Sequence, residues 1–220
     1  MNKYKTLVII MFFIFSFSIS RVYASVSDLP LLGKVIYLDA GHGGVDAGAE
    51  VNRIKEKDIN LILVKKLEKE LVSKGAIVYL TREGDYDLSK TTVNRKRSDL
   101  ANRAKLINES KADLYISIHL NSTTDSRWRG LQIFYNKVNS ENKVIADTLN
   151  DIIKNNLSNV RDVKEENNYY MYKKIDVPGV LIEAGFLSNP SDNYILRDEE
   201  YQDTLVNNIV LGVINYFNQK

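Results

Sequence analysis

Residues 34–44 read Lys34-Val35-Ile36-Tyr37-Leu38-Asp39-Ala40-Gly41-His42-Gly43-Gly44. The run Lys34–Leu38 is short, apolar and rich in branched and aromatic side chains, which predicts a buried strand. The glycines after Asp39 end it, and Asp39–Lys55 reads as a glycine-rich loop. Downstream, Ile59, Ile62, Leu63, Leu67 and Leu71 make a helical stripe that Gly75 closes as a C-cap. Ala76–Leu80, Leu114–Leu120, Gly130–Tyr135 and Gly179–Ile182 read as further strands. Asp99–Glu109, Glu141–Leu157 and Tyr201–Phe217 read as helices, and Asn167–Lys174 has no clear pattern. This alternation predicts an α/β fold in one domain, with a largely parallel sheet and helices on both faces.

The chain's 220 residues suit one globular domain, and 44% hydrophobic with 26% charged residues is ordinary for a soluble fold. Its start is different. Lys3 and Lys5 precede an apolar stretch from Leu7 to Ile19, followed by Val22-Tyr23-Ala24. This predicts a signal peptide over residues 1–24, cut after Ala24, with an uncleaved anchor as the alternative and no membrane span once it is removed. Residues 25–33 are then a short lead-in and 34–217 the folded domain. The signal holds Lys3, Lys5 and Arg21 and no acid; without it, 27 basic residues face 28 acidic ones, a net charge of −1. The basic pI of 8.5 therefore belongs to the removed segment and gives no ground for nucleic-acid binding. Cysteine is absent, so an exported domain must hold without disulfides, and a metal would be held by histidine and carboxylate.

The chain has two histidines, His42 and His119. Each falls at the carboxyl end of a predicted strand, as does Glu183, which follows Val180-Leu181-Ile182. Sites in open α/β sheets form beyond that edge. A hydrolytic zinc site needs three protein ligands and one open position. Two histidines supply two, and Glu56, before the first helix, is the candidate third. The competing reading is that Glu56 and Asp58 only complement the positive helix N-terminus. Glu183 is the spare carboxylate, suited to act as a general base if burial raises its pKa. A dinucleotide fingerprint is excluded, because Asp46 stands where the last glycine belongs.

Four segments in order, Asp39–Gly48, Glu56-Lys57-Asp58-Ile59-Asn60-Leu61, Ser117–Asn121 and Glu183-Ala184-Gly185-Phe186-Leu187-Ser188-Asn189, resemble the N-acetylmuramoyl-L-alanine amidases of the Amidase_3 type across roughly residues 34–217. The resemblance implies one catalytic Zn2+ held by His42, Glu56 and His119, with Glu183 as the catalytic glutamate. It implies a central, mostly parallel six-stranded sheet and peptidoglycan as substrate. A minimal secreted chain of this type is similar to the germination-specific members, which trim spore-cortex peptidoglycan towards muramic δ-lactam. Two departures stand out. No glycine lies within Glu50–Lys55, which predicts a less ordered loop before Glu56, and Leu120 follows His119 where a small residue is common. The rival readings are a zinc peptidase acting on wall peptides and an inactive wall-binding scaffold. With near-neutral charge and no wall-binding module read in the chain, an activating protein partner is also expected. The stretches Asn94–Arg97 and Asn167–Lys174 are its candidate contacts, with plain solvated surface the alternative.

Overall fold

The computed structural model describes residues 29–220, so the expected signal peptide lies outside the described residues. Eight strands and five helices follow in chain order: β1 (Val35–Ala40), β2 (Glu50–Val51), β3 (Ile54–Lys55), α1 (Glu56–Ser73), β4 (Ile77–Leu80), α2 (Arg95–Ser110), β5 (Leu114–Asn121), β6 (Gln132–Tyr135), α3 (Glu141–Asn156), β7 (Lys164–Glu165), β8 (Gly179–Phe186), α4 (Pro190–Ile195) and α5 (Glu199–Asn218). A 3₁₀ turn at Tyr172–Lys174 precedes β8. Six strands form one sheet in the order β4-β1-β5-β8-β6-β7. All its neighbours are parallel except β6 against β8, which agrees with the sheet implied by the sequence.

Helices α1, α3 and α5 cover one face. Their apolar stripes meet Ile36, Leu38, Leu114, Ile116, Val180 and Ile182 in the larger core. On the other face α2 and the segment around the 3₁₀ turn cover Tyr37, Tyr115, Phe134 and Leu181. Within α1 the buried apolar residues are Ile59, Leu63, Val64, Leu67 and Leu71, whereas Ile62 is exposed. The buried stripe drifts with the 3.6-residue period towards Val64 and leaves Ile62 on its trailing side. At the end of α1, Gly75 has φ +92° and its N–H donates to Val72 O, while Ala76 N–H donates to Leu71 O. That is a Schellman closure, in which glycine tolerates the left-handed position.

Several boundaries differ from the sequence expectation. Helix α2 starts at Arg95 rather than Asp99, after Asn94 in a left-handed conformation at φ +54°. Strand β8 continues past Ile182 to Phe186. The loop before Glu56 is not loose: β2 and β3 close as an antiparallel hairpin around Asn52 and Arg53, with φ +51° and +65°. Both central residues are left-handed, the geometry of a type I′ turn, so asparagine and arginine do what Asn-Gly commonly does.

Candidate metal centre

All four residues singled out from the sequence meet beyond the carboxyl edge of the sheet, in a cavity of about 450 Å³. His42 lies two residues past β1. Glu56 is the first residue of α1, one step further into the helix than expected. His119 and Glu183 are paired neighbours on β5 and β8. Atoms of His42, Glu56 and His119 able to bind a metal lie within 4.8 Å of one another. Glu56 Oε1 is 3.2 Å from His42 Nε2 and 3.0 Å from His119 Nδ1.

Glu56 is fixed from several sides. Its Oε2 accepts from Ala49 N–H at 2.9 Å, and its Oε1 accepts from Leu120 N–H at 3.0 Å. Leu120 thus contributes a backbone donor, while its side chain is buried in the core. His42 Nδ1 lies 3.0 Å from Asp46 Oδ2, an ion-pair distance without hydrogen-bond geometry, and Nε2 faces Glu56. Two glycines make room. A Cβ on Gly41 would collide with the His119 ring, and one on Gly48 would meet Glu56 Oε2 and the His42 ring.

The electrostatics favour a cation. Burial disfavours a charged His42, but hydrogen bonds and charge from Asp46 and Glu56 override it and push the imidazole up to about 9. Burial likewise opposes ionisation of Glu56, yet both histidines hold its carboxyl well below the usual range. A cluster that draws a proton this strongly is suited to a divalent ion, and two imidazoles with one carboxylate are the donor set of a hydrolytic metal site. The residues therefore fit a metal. Beside them, Glu183 is 8% exposed and its Oε2 has no hydrogen-bond partner. Burial, joined by Glu56 and partly offset by His119 and His42, raises its carboxyl to about 7.

The sequence did not reveal what holds the loops in place. Two buried arginines, each 1% exposed, clamp them. Arg103 on α2 donates to Asp39 Oδ1 at 2.7 Å, Asp99 Oδ2 at 2.8 Å, Ala40 O at 2.7 Å and His42 O at 2.6 Å. Arg82 donates to Ala40 O, Gly41 O and Lys57 O at 2.9, 3.1 and 2.7 Å. Asp39 also accepts from Thr81 and Ser117 hydroxyls. His42 sits at φ +61°, a strained backbone for a non-glycine residue, and the Arg103 bond to its carbonyl helps to hold it there. The local sequence carries no signal for this network, because Arg82 and Arg103 lie in polar stretches and most of their partners are distant in the chain.

A family model described as N-acetylmuramoyl-L-alanine amidase, Amidase_3, matches residues 36–215. The chain belongs to this amidase family. The germination-specific N-acetylmuramoyl-L-alanine amidase of Bacillus subtilis is 44% identical over 197 residues, covering 87% of this chain and 83% of the relative. The probable cell wall amidase LytH of Staphylococcus aureus is 35% identical, over 86% of this chain and 60% of its own length. Among solved structures, the CwlD amidase from Clostridioides difficile in complex with the GerS lipoprotein is similar at a TM-score of 0.81 and 38% identity, over 86% of this chain and 100% of that one. The amidase family and fold implied by the sequence motifs are thereby borne out. Among the described residues, no helix is long and apolar enough to cross a membrane.

Proposed function

We propose that this amidase is an exported, zinc-dependent enzyme that hydrolyses the bond between N-acetylmuramic acid and L-alanine in spore-cortex peptidoglycan, a step towards muramic δ-lactam. The observation that carries this reading is the convergence of His42, Glu56 and His119 beside an unpartnered, buried Glu183 in one cavity. The similarity to a germination-specific amidase supports the cortex as its setting.

A zinc ion held by His42, Glu56 and His119 supplies Lewis-acid polarisation of the lactyl carbonyl and lowers the pKa of water. The protein's own groups do the rest. Asp46, 3.0 Å from His42 Nδ1, is placed to favour a proton on that nitrogen, which would leave Nε2 to the metal. Glu183 takes the proton from the attacking water on its carboxylate and delivers it to the departing alanine nitrogen. Burial, which disfavours the carboxylate and raises its pKa, favours return of that proton to the leaving group. The products are a peptide-free muramoyl residue in the glycan and a stem peptide with a free amino terminus.

A protein partner at the membrane or wall is part of this proposal. The similar CwlD amidase was solved with a lipoprotein bound, and a partner that prefers the metal-loaded state raises its population by mass action. The ligand assignment is tested by replacing His42, Glu56 or His119 with Ala, then measuring zinc by elemental analysis and fold by circular dichroism. The expected result is loss of zinc with the helix and sheet signal retained. Full zinc occupancy in all three variants would overturn the assignment.

A further inference from the structure

Outside the metal centre, the first turn of α2 and the segment before β8 meet at the mouth of the cavity. Arg97 Cζ lies 5.0 Å from the centre of the Tyr170 ring, and Lys174 Nζ lies 5.1 Å from the same ring. Asn108 ties this segment to α2, donating to Lys174 O and accepting from Asp176 N–H. We propose that Arg97, Lys174 and Tyr170, with Lys96 at the shared edge, form a subsite for the carboxylates of an acidic peptide, the stem whose first bond is cut. This inference rests on the amidase reading above.

Three observations carry it. First, the cations are uncompensated. Among the described residues, neither Arg97 nor Lys174 has a carboxylate oxygen within 4.0 Å. Three acids lining the adjoining pockets are engaged elsewhere: Asp87 with Arg95, Asp99 with Arg103 and Asp46 with His42. Lys96 approaches Asp46 only to 3.8 Å and is itself exposed. Two exposed cations around one phenol ring repel each other and gain from an added anion.

Second, the position is continuous with the chemistry. A groove of about 480 Å³ lined by Arg97 shares Lys96, Leu100 and Tyr170 with the cavity that contains Glu183. A peptide anchored there lies directly beside the cavity of the metal centre, across the lining residues that the two share.

Third, the chemistry is complementary. Asp46, Glu56 and Glu183 line the cavity, whereas Arg97 and Lys174 lie beyond it, on the side where a substrate's carboxylates find opposite charge. The stem peptide carries free carboxylates past the cut alanine, whereas the glycan next to the muramoyl carbonyl is uncharged. The guanidinium of Arg97 offers paired donors to a carboxylate, and Leu100 with the Tyr170 ring supplies an apolar floor for peptide carbons.

The test compares muropeptides bearing free-acid stems with the same compounds bearing amidated stems, using zinc-loaded wild type and the R97Q/K174Q double variant. Wild type is expected to prefer the acid. The double variant is expected to lose roughly five- to tenfold in kcat/KM on the acid, mainly through KM, the scale of two exposed charge contacts. Its ratio of acid to amide should approach one, and the wild-type preference should fade with added salt. A merely structural defect slows both substrates alike and leaves the ratio in place. Equal rates of wild type on both stems, or an unchanged ratio in the variant, would overturn the subsite. A variant with its preference intact but weakened in binding a partner protein would also overturn it and assign the patch to a protein interface. If wild type cuts neither substrate, the amidase reading fails separately. Titration with free stem peptide then decides the subsite, and equal affinity of wild type and variant refutes it.

Discussion

Replacing Arg103 with Met tests whether the buried clamp maintains the metal loop. The guanidinium is 1% exposed and makes four hydrogen bonds, two to carboxylates and two to the carbonyls of Ala40 and His42. Methionine fills much of the volume but leaves Asp39 and Asp99 buried without their cation. Removing one partner of a buried pair costs about 3–5 kcal/mol, a large part of the roughly 5–15 kcal/mol that holds a domain together. The pH dependence follows from Asp39. Burial opposes its ionisation, but Arg103, with His119 and the Ser117 and Thr81 hydroxyls, lowers its carboxyl from 3.8 to about 2. A folded pKa below the unfolded one contributes stability that is present above the unfolded value and lost as the pH falls towards the folded one. Here that contribution is about 2 kcal/mol, lost between about pH 4 and pH 2. Without Arg103, burial dominates and raises the Asp39 carboxyl, so acid should relieve the variant instead. Urea unfolding near pH 7 should show a deficit of about 3–5 kcal/mol that narrows as the pH approaches 4. A loss below about 1 kcal/mol, or a deficit that does not change with pH, would refute the reasoning.

Three further outcomes follow from the same geometry. Glu183→Gln should retain zinc but lose roughly 10²-fold or more in turnover, the scale of a general base; near wild-type turnover in a stopped muropeptide assay would remove Glu183 from that role. Arg53→Gly should relieve the left-handed strain at φ +65° and raise stability by up to about 1 kcal/mol, read as a rise of about 2 °C in Tm; a fall would show that the Arg53 side chain matters more than its backbone. Gly41→Ala should push the His119 ring aside and weaken zinc binding by roughly tenfold or more, measured by competition with a chromophoric chelator; unchanged affinity would mean that the loop yields at no cost to the ligands.

The sheet was legible because its strands are short, apolar and separated by helical stripes, and because His42, His119 and Glu183 each end or interrupt an apolar run. Glu56 was open on sequence spacing alone, since an acid in the first turn also suits the helix terminus; only the fold shows its oxygen between two imidazoles. The Asn52-Arg53 turn was misread because the usual glycine is missing, and what replaces it is a backbone conformation rather than a residue type. Asp39, Arg82 and Arg103 were silent because their partners are carbonyls and carboxylates far apart in sequence, and no local periodicity encodes such bonds. The start of α2 was placed four residues late because its first turn, residues 95–98, is polar and largely exposed and carries no apolar stripe. Arg97, Tyr170 and Lys174 fall in the two stretches that the sequence offered as candidate partner contacts, and the packing of α2 against the 3₁₀ segment brings them to one place.

The central claim is that a metal held by two histidines and a glutamate cuts the sugar–peptide bond. Mass analysis of muropeptides digested by the zinc-loaded protein, with and without a chelator, tests it most directly. Peptide-free muramoyl glycan and intact stem peptides beginning with alanine are expected, both absent once the metal is removed. Fragments cut within the peptide, or the same products in full yield after complete metal removal, would contradict it.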